Sequence, residues 1–267
     1  MDGYFLHMAF IFTLSKMDKT MKVILALKQH SIFILLFICL IGSGCETRLE
    51  TTWTENPHFS YRHITLSTGS TLYFALILPE DPDLSQTYPV LLAFPPGDQD
   101  YEMVEWAIEK YWIRGSIQNN WIVVSPIATG NIAFYEGGET AIPELMDWIE
   151  ANFNVEGGRF HTAGMSAGGY SAFRIAIDYT DRVHSVLAFP GYAADPQDDT
   201  RLDRLIDIPV IMYAGQLDTE WVEAMNTFHE KLEAAGVDAE YTVLPLEEHV
   251  IQGLTPESLF HILDDLR

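Results

Sequence analysis

Residues Gly164-Met165-Ser166-Ala167-Gly168 spell G-x-S-x-G between an expected strand at 159–164 and a helical pattern at 167–178. That spacing suits a nucleophilic serine. A sharp strand-to-helix turn lifts the hydroxyl off the end of a sheet, and glycine is needed at Gly164 and Gly168 because backbone passes close by there. The helix beginning after Ser166 adds positive potential and free N–H groups. The spacing alone is a weak signal; its position after a buried run is what makes it specific. The plainer alternative is a glycine-rich turn whose serine caps a helix.

A serine hydroxyl is a poor nucleophile without a base, and the base needs an acid to orient it. One recurring chain order is Ser, then Asp or Glu, then His. Asp218 follows the apolar run 209–214 in AGQLD, and His249 follows the run 239–245 in LPLEEH. Both fall on loops beyond the end of a strand, the edge at which open α/β sheets bind ligands. Asp218 could equally cap a helix starting near Thr219, and the two roles do not exclude each other. Among the other histidines, His161 and His184 fall in strands and His229 and His261 in helices, while His58 and His63 precede the serine.

An acyl-transfer site also needs two backbone donors for the oxyanion. One is the N–H of Ala167, directly after the nucleophile. The other is expected from Phe94-Pro95-Pro96-Gly97-Asp98. The prolines carry no N–H, so Gly97 is the earliest donor and Asp98 the next, unless the segment is only a tight turn.

These loops need a framework of alternating strands and helices, and the apolar pattern supplies one. Two strands at 59–66 and 71–78 are joined by a turn at 67–70. Continuous apolar runs at 89–94 and 121–124 read as strands buried on both faces. Helical patterns cover 101–111 and 140–153, the second with Ile142, Leu145, Met146, Trp148 and Ile149 on one side. Strand 159–164, helix 167–178, strands 183–189 and 209–214, helix 219–234, strand 239–245 and helix 256–266 complete the alternation. The expected class is α/β, with a mainly parallel central sheet covered by helices on both faces. The polar run 192–207 sits where a small cap over the sheet edge could form.

The chain has 267 residues, 48% of them hydrophobic and 20% charged, with a net charge of −23. Such a composition supports a large core, and such a field repels phosphate backbones, which argues against nucleic-acid binding. The two cysteines, Cys39 and Cys45, leave the body with neither a disulfide framework nor a cysteine metal site.

Residues 31–44 (SIFILLFICLIGSG) are uncharged and apolar, preceded by Lys22 and Lys28. This is the pattern of a secretory signal, with Met21-Lys22 a natural start. The run ends Gly42-Ser43-Gly44-Cys45 and resembles the lipobox of bacterial lipoproteins, although Gly42 stands where leucine is usual. The resemblance implies cleavage before Cys45, acylation of its thiol, and a membrane-anchored protein facing the periplasm or cell exterior. An uncleaved anchor and ordinary signal cleavage are the alternatives. The division read from the chain is a targeting segment at 1–45, a polar tether at 46–57 and one folded domain at 58–267.

RFHTAGMSAGGYSA, followed by AGQLD and EEH, resembles the α/β-hydrolase-fold serine hydrolases. Within that superfamily it is similar to small secreted esterases of the polyhydroxyalkanoate depolymerase and feruloyl esterase type. The resemblance covers most of 58–267. It implies ester hydrolysis through an acyl-enzyme, carried onto Ser166, His249 and Asp218, with no metal or organic cofactor. Two departures stand out: Pro95-Pro96 replaces the usual His-Gly, and Glu248 replaces the usual glycine before the histidine. The substrate expected is a small-molecule or polymer-derived ester. Tyr101, Tyr135, Tyr170 and Tyr192 are candidate contacts for a phenolic or sugar group. Asp98, Asp100, Glu102, Glu105, Asp195, Asp198 and Asp199 either ring the mouth or form a solvated face. A prolyl-oligopeptidase-like peptidase or a thioesterase would use the same triad, and an inactive ligand-binding lipoprotein is the reading from another class.

Overall fold

A computed structural model describes residues 59–267. The lipobox-like Cys45, the targeting segment and the tether lie outside the described residues.

Eight strands form the main sheet: β1 (Phe59–Thr65), β2 (Thr71–Ile77), β4 (Val90–Phe94), β5 (Ile122–Pro126), β7 (Phe160–Gly164), β8 (Val183–Ala188), β9 (Val210–Gly215) and β10 (Ala239–Leu244). Their spatial order is β1-β2-β5-β4-β7-β8-β9-β10. The β1–β2 hairpin and the β2–β5 pair are antiparallel, and every pair from β5 to β10 is parallel. The hairpin closes through Gly69 N–H to Leu66 O (2.8 Å) and Leu66 N–H to Ser70 O (2.8 Å), at the turn expected from Ser67 to Ser70. Two short strands, β3 (Thr87–Tyr88) and β6 (Asn154–Val155), pair outside this sheet.

The two-residue period of the strands divides the core into two layers. Val90, Leu92 and Phe94 of β4 face one layer with helices α3 (Ile142–Asn152), α4 (Ala167–Asp178) and α5 (Thr219–Ala235). Leu91 and Ala93 face the other, with α1 (Tyr101–Ala107), α2 (Ile113–Asn119) and α6 (Pro256–Asp265). Strands β4, β5 and β7 are buried along their whole length, β4 as its unbroken apolar run requires. Among the described residues no helix is long and apolar enough to cross a membrane.

Two expectations are corrected. The helix read at 101–111 continues to Asn119 through a π-turn at Ile108–Trp112. The wide turn holds Ile108, Tyr111 and Trp112 in the core, and Gly115 then lets Phe260 of α6 come so close that a Cβ would sit 2.1 Å from its ring. The run 192–207 is not a cap ringing the mouth. Its 3-10 segment, Asp198–Leu205, packs on α4 and α5, with Leu202 and Leu205 in the core. Three of its carboxylates are paired: Asp195 and Asp198 with Arg174 (2.8 and 3.2 Å), Asp198 also with Arg201, and Asp199 with Lys231 (2.6 Å).

Candidate active site

Strand β7 is wholly buried and ends at Gly164, and α4 begins at Ala167, so the chain reverses over Met165 and Ser166. Ser166 has φ 57° and ψ −122°, a left-handed conformation that costs a non-glycine residue roughly 1–3 kcal/mol. Hydrogen bonds around the turn hold it there: Ser166 N–H to Pro190 O (2.7 Å), Gly168 N–H to Met165 O (2.9 Å) and Phe189 N–H to Gly164 O (3.1 Å). The flanking glycines are required by contact. A Cβ on Gly164 would lie 2.3 Å from the Gly168 carbonyl, and one on Gly168 would lie 2.1 Å from Phe94 O. Ser166 occupies the N-cap position of α4, yet its hydroxyl makes no capping bond, which removes the helix-cap explanation for a serine here.

Parallel strands bring the other two candidates to the same edge of the sheet. Asp218 follows β9 and opens α5, again at an N-cap position without a side-chain capping bond. Its carboxylate is turned to the imidazole instead: His249 Nδ1 lies 2.6 Å from Asp218 Oδ2. With Asp218 ionised, Nδ1–H donates this bond and Nε2 keeps its lone pair. The Asp218 side chain is 16% exposed and that of His249 35%, so the acid lies deeper than the base.

The acid and base loops are also tied by backbone. Leu217 N–H donates to Glu247 O (2.8 Å), and Gln216 N–H to Leu244 O (2.9 Å). Glu247 closes the histidine loop on itself, its carboxylate accepting from Gln252 N–H (2.7 Å) and Gly253 N–H (2.9 Å). Glu248 is exposed.

The remaining described histidines are engaged elsewhere. His161 is buried against Ser185 Oγ (2.8 Å), His184 bonds Leu266 O (2.8 Å), and His229 bonds Ala239 O (3.0 Å). His63 packs on Tyr73, and His261 is exposed on α6 beside Asp265.

Ala167 is the first residue of α4, where an N–H has no acceptor within the helix. Gly97, on the loop after β4, has φ 56° and is exposed in a tight turn closed by Gln99 N–H to Pro96 O (3.1 Å). Positive φ at the first central residue of a turn demands glycine or a close substitute. The acidic residues after this turn have separate fates: Asp100 caps α1 by accepting from Met103 N–H (3.0 Å), while Asp98, Glu102 and Glu105 are exposed.

An aromatic wall stands beside the imidazole. Trp221, in the first turn of α5, lies 5.0 Å from the His249 ring and stacks on Tyr170 at 5.2 Å and 18°. Tyr170 also meets Tyr192 (4.9 Å) and Tyr135 (5.3 Å), and its hydroxyl donates to that of Tyr192 (3.3 Å). Burial, then the Tyr192 hydroxyl, raises the Tyr170 phenol well above its ordinary pKa, so it stays neutral. Three of the four tyrosines singled out from the sequence thus meet here. Tyr101 does not; it packs on Tyr61 (5.1 Å) and Tyr73 (6.2 Å). Trp221 was not anticipated, because a tryptophan in an amphipathic helix reads as core.

Residues 134–246 match a family model described as "Putative esterase", a stretch that includes Ser166 and Asp218 and ends just before His249. The fold is similar to that of a thermostable esterase (TM-score 0.60, 17% identity, 78% of this chain and 60% of that one). It is also similar to an S-formylglutathione hydrolase from Agrobacterium tumefaciens (TM-score 0.62, 16% identity, 78% and 94%). A third similar structure is a ferulic acid esterase (TM-score 0.58, 19% identity, 78% and 96%). No curated protein sequence matches the chain. The fold is that of the α/β-hydrolases. The chain spans 60% of the thermostable esterase's length, and at 16–19% identity these three likenesses show the fold.

Proposed function

We propose that the chain hydrolyses carboxylic esters with Ser166 as nucleophile, His249 as general base and Asp218 as the acid that orients it. The observation that carries this reading is the 2.6 Å bond from His249 Nδ1 to Asp218 Oδ2, on the sheet edge where Ser166 is held in a strained turn. Nε2 of His249 takes the Ser166 proton as Oγ attacks the acyl carbonyl. The N–H groups of Ala167 and Gly97 stabilise the oxyanion. Collapse expels the alcohol, which takes the proton back from His249, and water then repeats the sequence to release the acid. The aromatic wall of Trp221, Tyr170, Tyr192 and Tyr135 favours a substrate with a planar group, and the ferulic acid esterase among the similar structures supports an ester of an aromatic acid.

Residues 31–45 support an exported protein tethered by a lipid on Cys45. The intact mass of the protein purified from membranes tests this part: residues 1–44 retained, or an unmodified Cys45, refutes it.

The catalytic part is tested by fluorophosphonate labelling of the full chain beside Ser166→Ala. Labelling confined to the unsubstituted chain is expected. A folded chain that takes up no label would move the reading to a ligand-binding protein on a hydrolase scaffold.

A further inference from the structure

Gln99 lies in the loop after β4, two residues beyond Gly97, and is fully buried although its neighbours Asp98 and Asp100 are exposed. A buried glutamine must satisfy its amide, and this one does so across three separate segments. Its Nε2 donates to Pro95 O (3.0 Å) and to Ser171 Oγ (2.8 Å). Its Oε1 accepts from Phe134 N–H (2.8 Å). Its own backbone adds Gln99 N–H to Pro96 O (3.1 Å) and receives Ala128 N–H (2.8 Å). Like Ser166, Gln99 has a left-handed backbone, φ 57°, without being glycine.

The placement of these bonds matters more than their number. Pro95 and Pro96 have no N–H, so their carbonyls are the only backbone groups by which this segment can be held. Gln99 holds both, one from its backbone and one from its side chain. Ser171 in turn donates to Ala167 O (3.1 Å). A continuous path therefore runs from the Pro95-Pro96-Gly97 turn, through the Gln99 amide and the Ser171 hydroxyl, to Ala167 behind the nucleophile. A third arm reaches Phe134, next to Tyr135 of the aromatic wall.

We infer that Gln99 is a positioning residue for the oxyanion site, setting the separation of its two donor segments, Gly97 and Ala167. The inference rests on the assignment of Ser166 as nucleophile. It also accounts for the double proline: Gln99 supplies the restraint that a segment without N–H groups cannot provide for itself.

The test compares the full chain with Gln99→Met, which keeps length but removes both amide roles, and with Ser171→Ala, which cuts only the link to α4. Each is assayed for kcat and KM on an aryl ester and for inhibition by a trifluoromethyl ketone, whose serine adduct bears the oxyanion. Gln99→Met is expected to lower kcat by roughly 30–300-fold with KM within about threefold, the loss typical of a displaced oxyanion donor. Ser171→Ala is expected to lower kcat about 3–10-fold on the same reasoning. In both, inhibitor affinity falls by the same factor as kcat/KM, which a merely structural glutamine would not produce. Folded variants with unchanged kcat, or a kcat loss with unchanged inhibitor affinity, overturn the inference. If Gln99→Met does not fold, Ser171→Ala decides on the same two readouts. Fluorophosphonate labelling separates the levels. An unlabelled wild-type chain sinks the nucleophile assignment and this inference with it, whereas labelled wild type with unaffected variants sinks this inference alone.

Discussion

Gly215 and Glu248 approach so closely that a Cβ on the glycine would lie 2.2 Å from the Glu248 carbonyl oxygen and 2.5 Å from that of Glu247. The last residue of β9 and the residue before His249 are thus in direct backbone contact, and the Asp218–His249 bond is made just beyond it. Gly215→Ala is expected to push the histidine loop outward and lower kcat on the order of 100-fold, as an ångström of misplacement does. Its stability cost is about 1–3 kcal/mol. Steady-state kinetics beside a thermal melt checks both; a folded variant with full kcat would show that the contact does not set the geometry.

Asp218→Asn keeps the size of the side chain and the start of α5, since no capping bond is lost. It removes the charge that fixes the imidazole tautomer. The expected fall in kcat is on the order of 10³–10⁴-fold with a melting temperature close to that of the parent. A loss below tenfold would mean that another group orients His249.

Trp221→Ala removes an indole shared by Tyr170, Tyr192 and His249. KM for an aryl ester should rise about tenfold more than KM for a short alkyl acetate, which does not need the wall, in line with one lost aromatic contact. Paired substrates read this directly, and equal changes for the two would assign Trp221 to packing alone.

His161 links stability to pH. Burial first, then the charges of His184, Arg267 and Arg159, lowers its pKa from 6.5 to about 3. Between those values the unfolded chain binds a proton that the native imidazole does not, so stability rises with pH across the window and is fully present above it. Acidification from pH 6.5 to 5 should remove about 2 kcal/mol through this group. His161→Phe, which can keep the ring contact with Trp121, should flatten the slope. Denaturant midpoints at half-unit pH steps compare the two, and identical slopes would clear His161 of the effect.

Much of this was legible in the sequence because local patterns and long-range needs coincide at particular residues. Gly164, Ser166 and Gly168 sit between a strand and a helix pattern, where a tight turn needs glycine at its flanks, and helix α4 begins and ends where its pattern does, at Ala167 and Asp178. Asp218 and His249 follow strand patterns that end at one sheet edge. Gln99 was not legible, since a glutamine between two aspartates reads as an exposed loop and its burial depends on Ser171 and Phe134, 72 and 35 residues away. The acidic run at 195–199 misled for the same reason: its partners Arg174 and Lys231 lie on helices that the chain supplies before and after it. The π-turn at Ile108–Trp112 has no local mark either, being set by how Tyr111 and Trp112 pack on Phe189.

Strand β10 ends the sheet, pairs with β9 and contributes no buried residue, whereas β7 beneath Ser166 is buried throughout. The proposed nucleophile therefore follows a strand buried along its whole length, and the proposed base follows the edge strand, which buries nothing. Openings too small to breach the core begin at such an edge. On warming, activity is therefore expected to fall before the fold is lost, and to return on cooling as that strand re-seats.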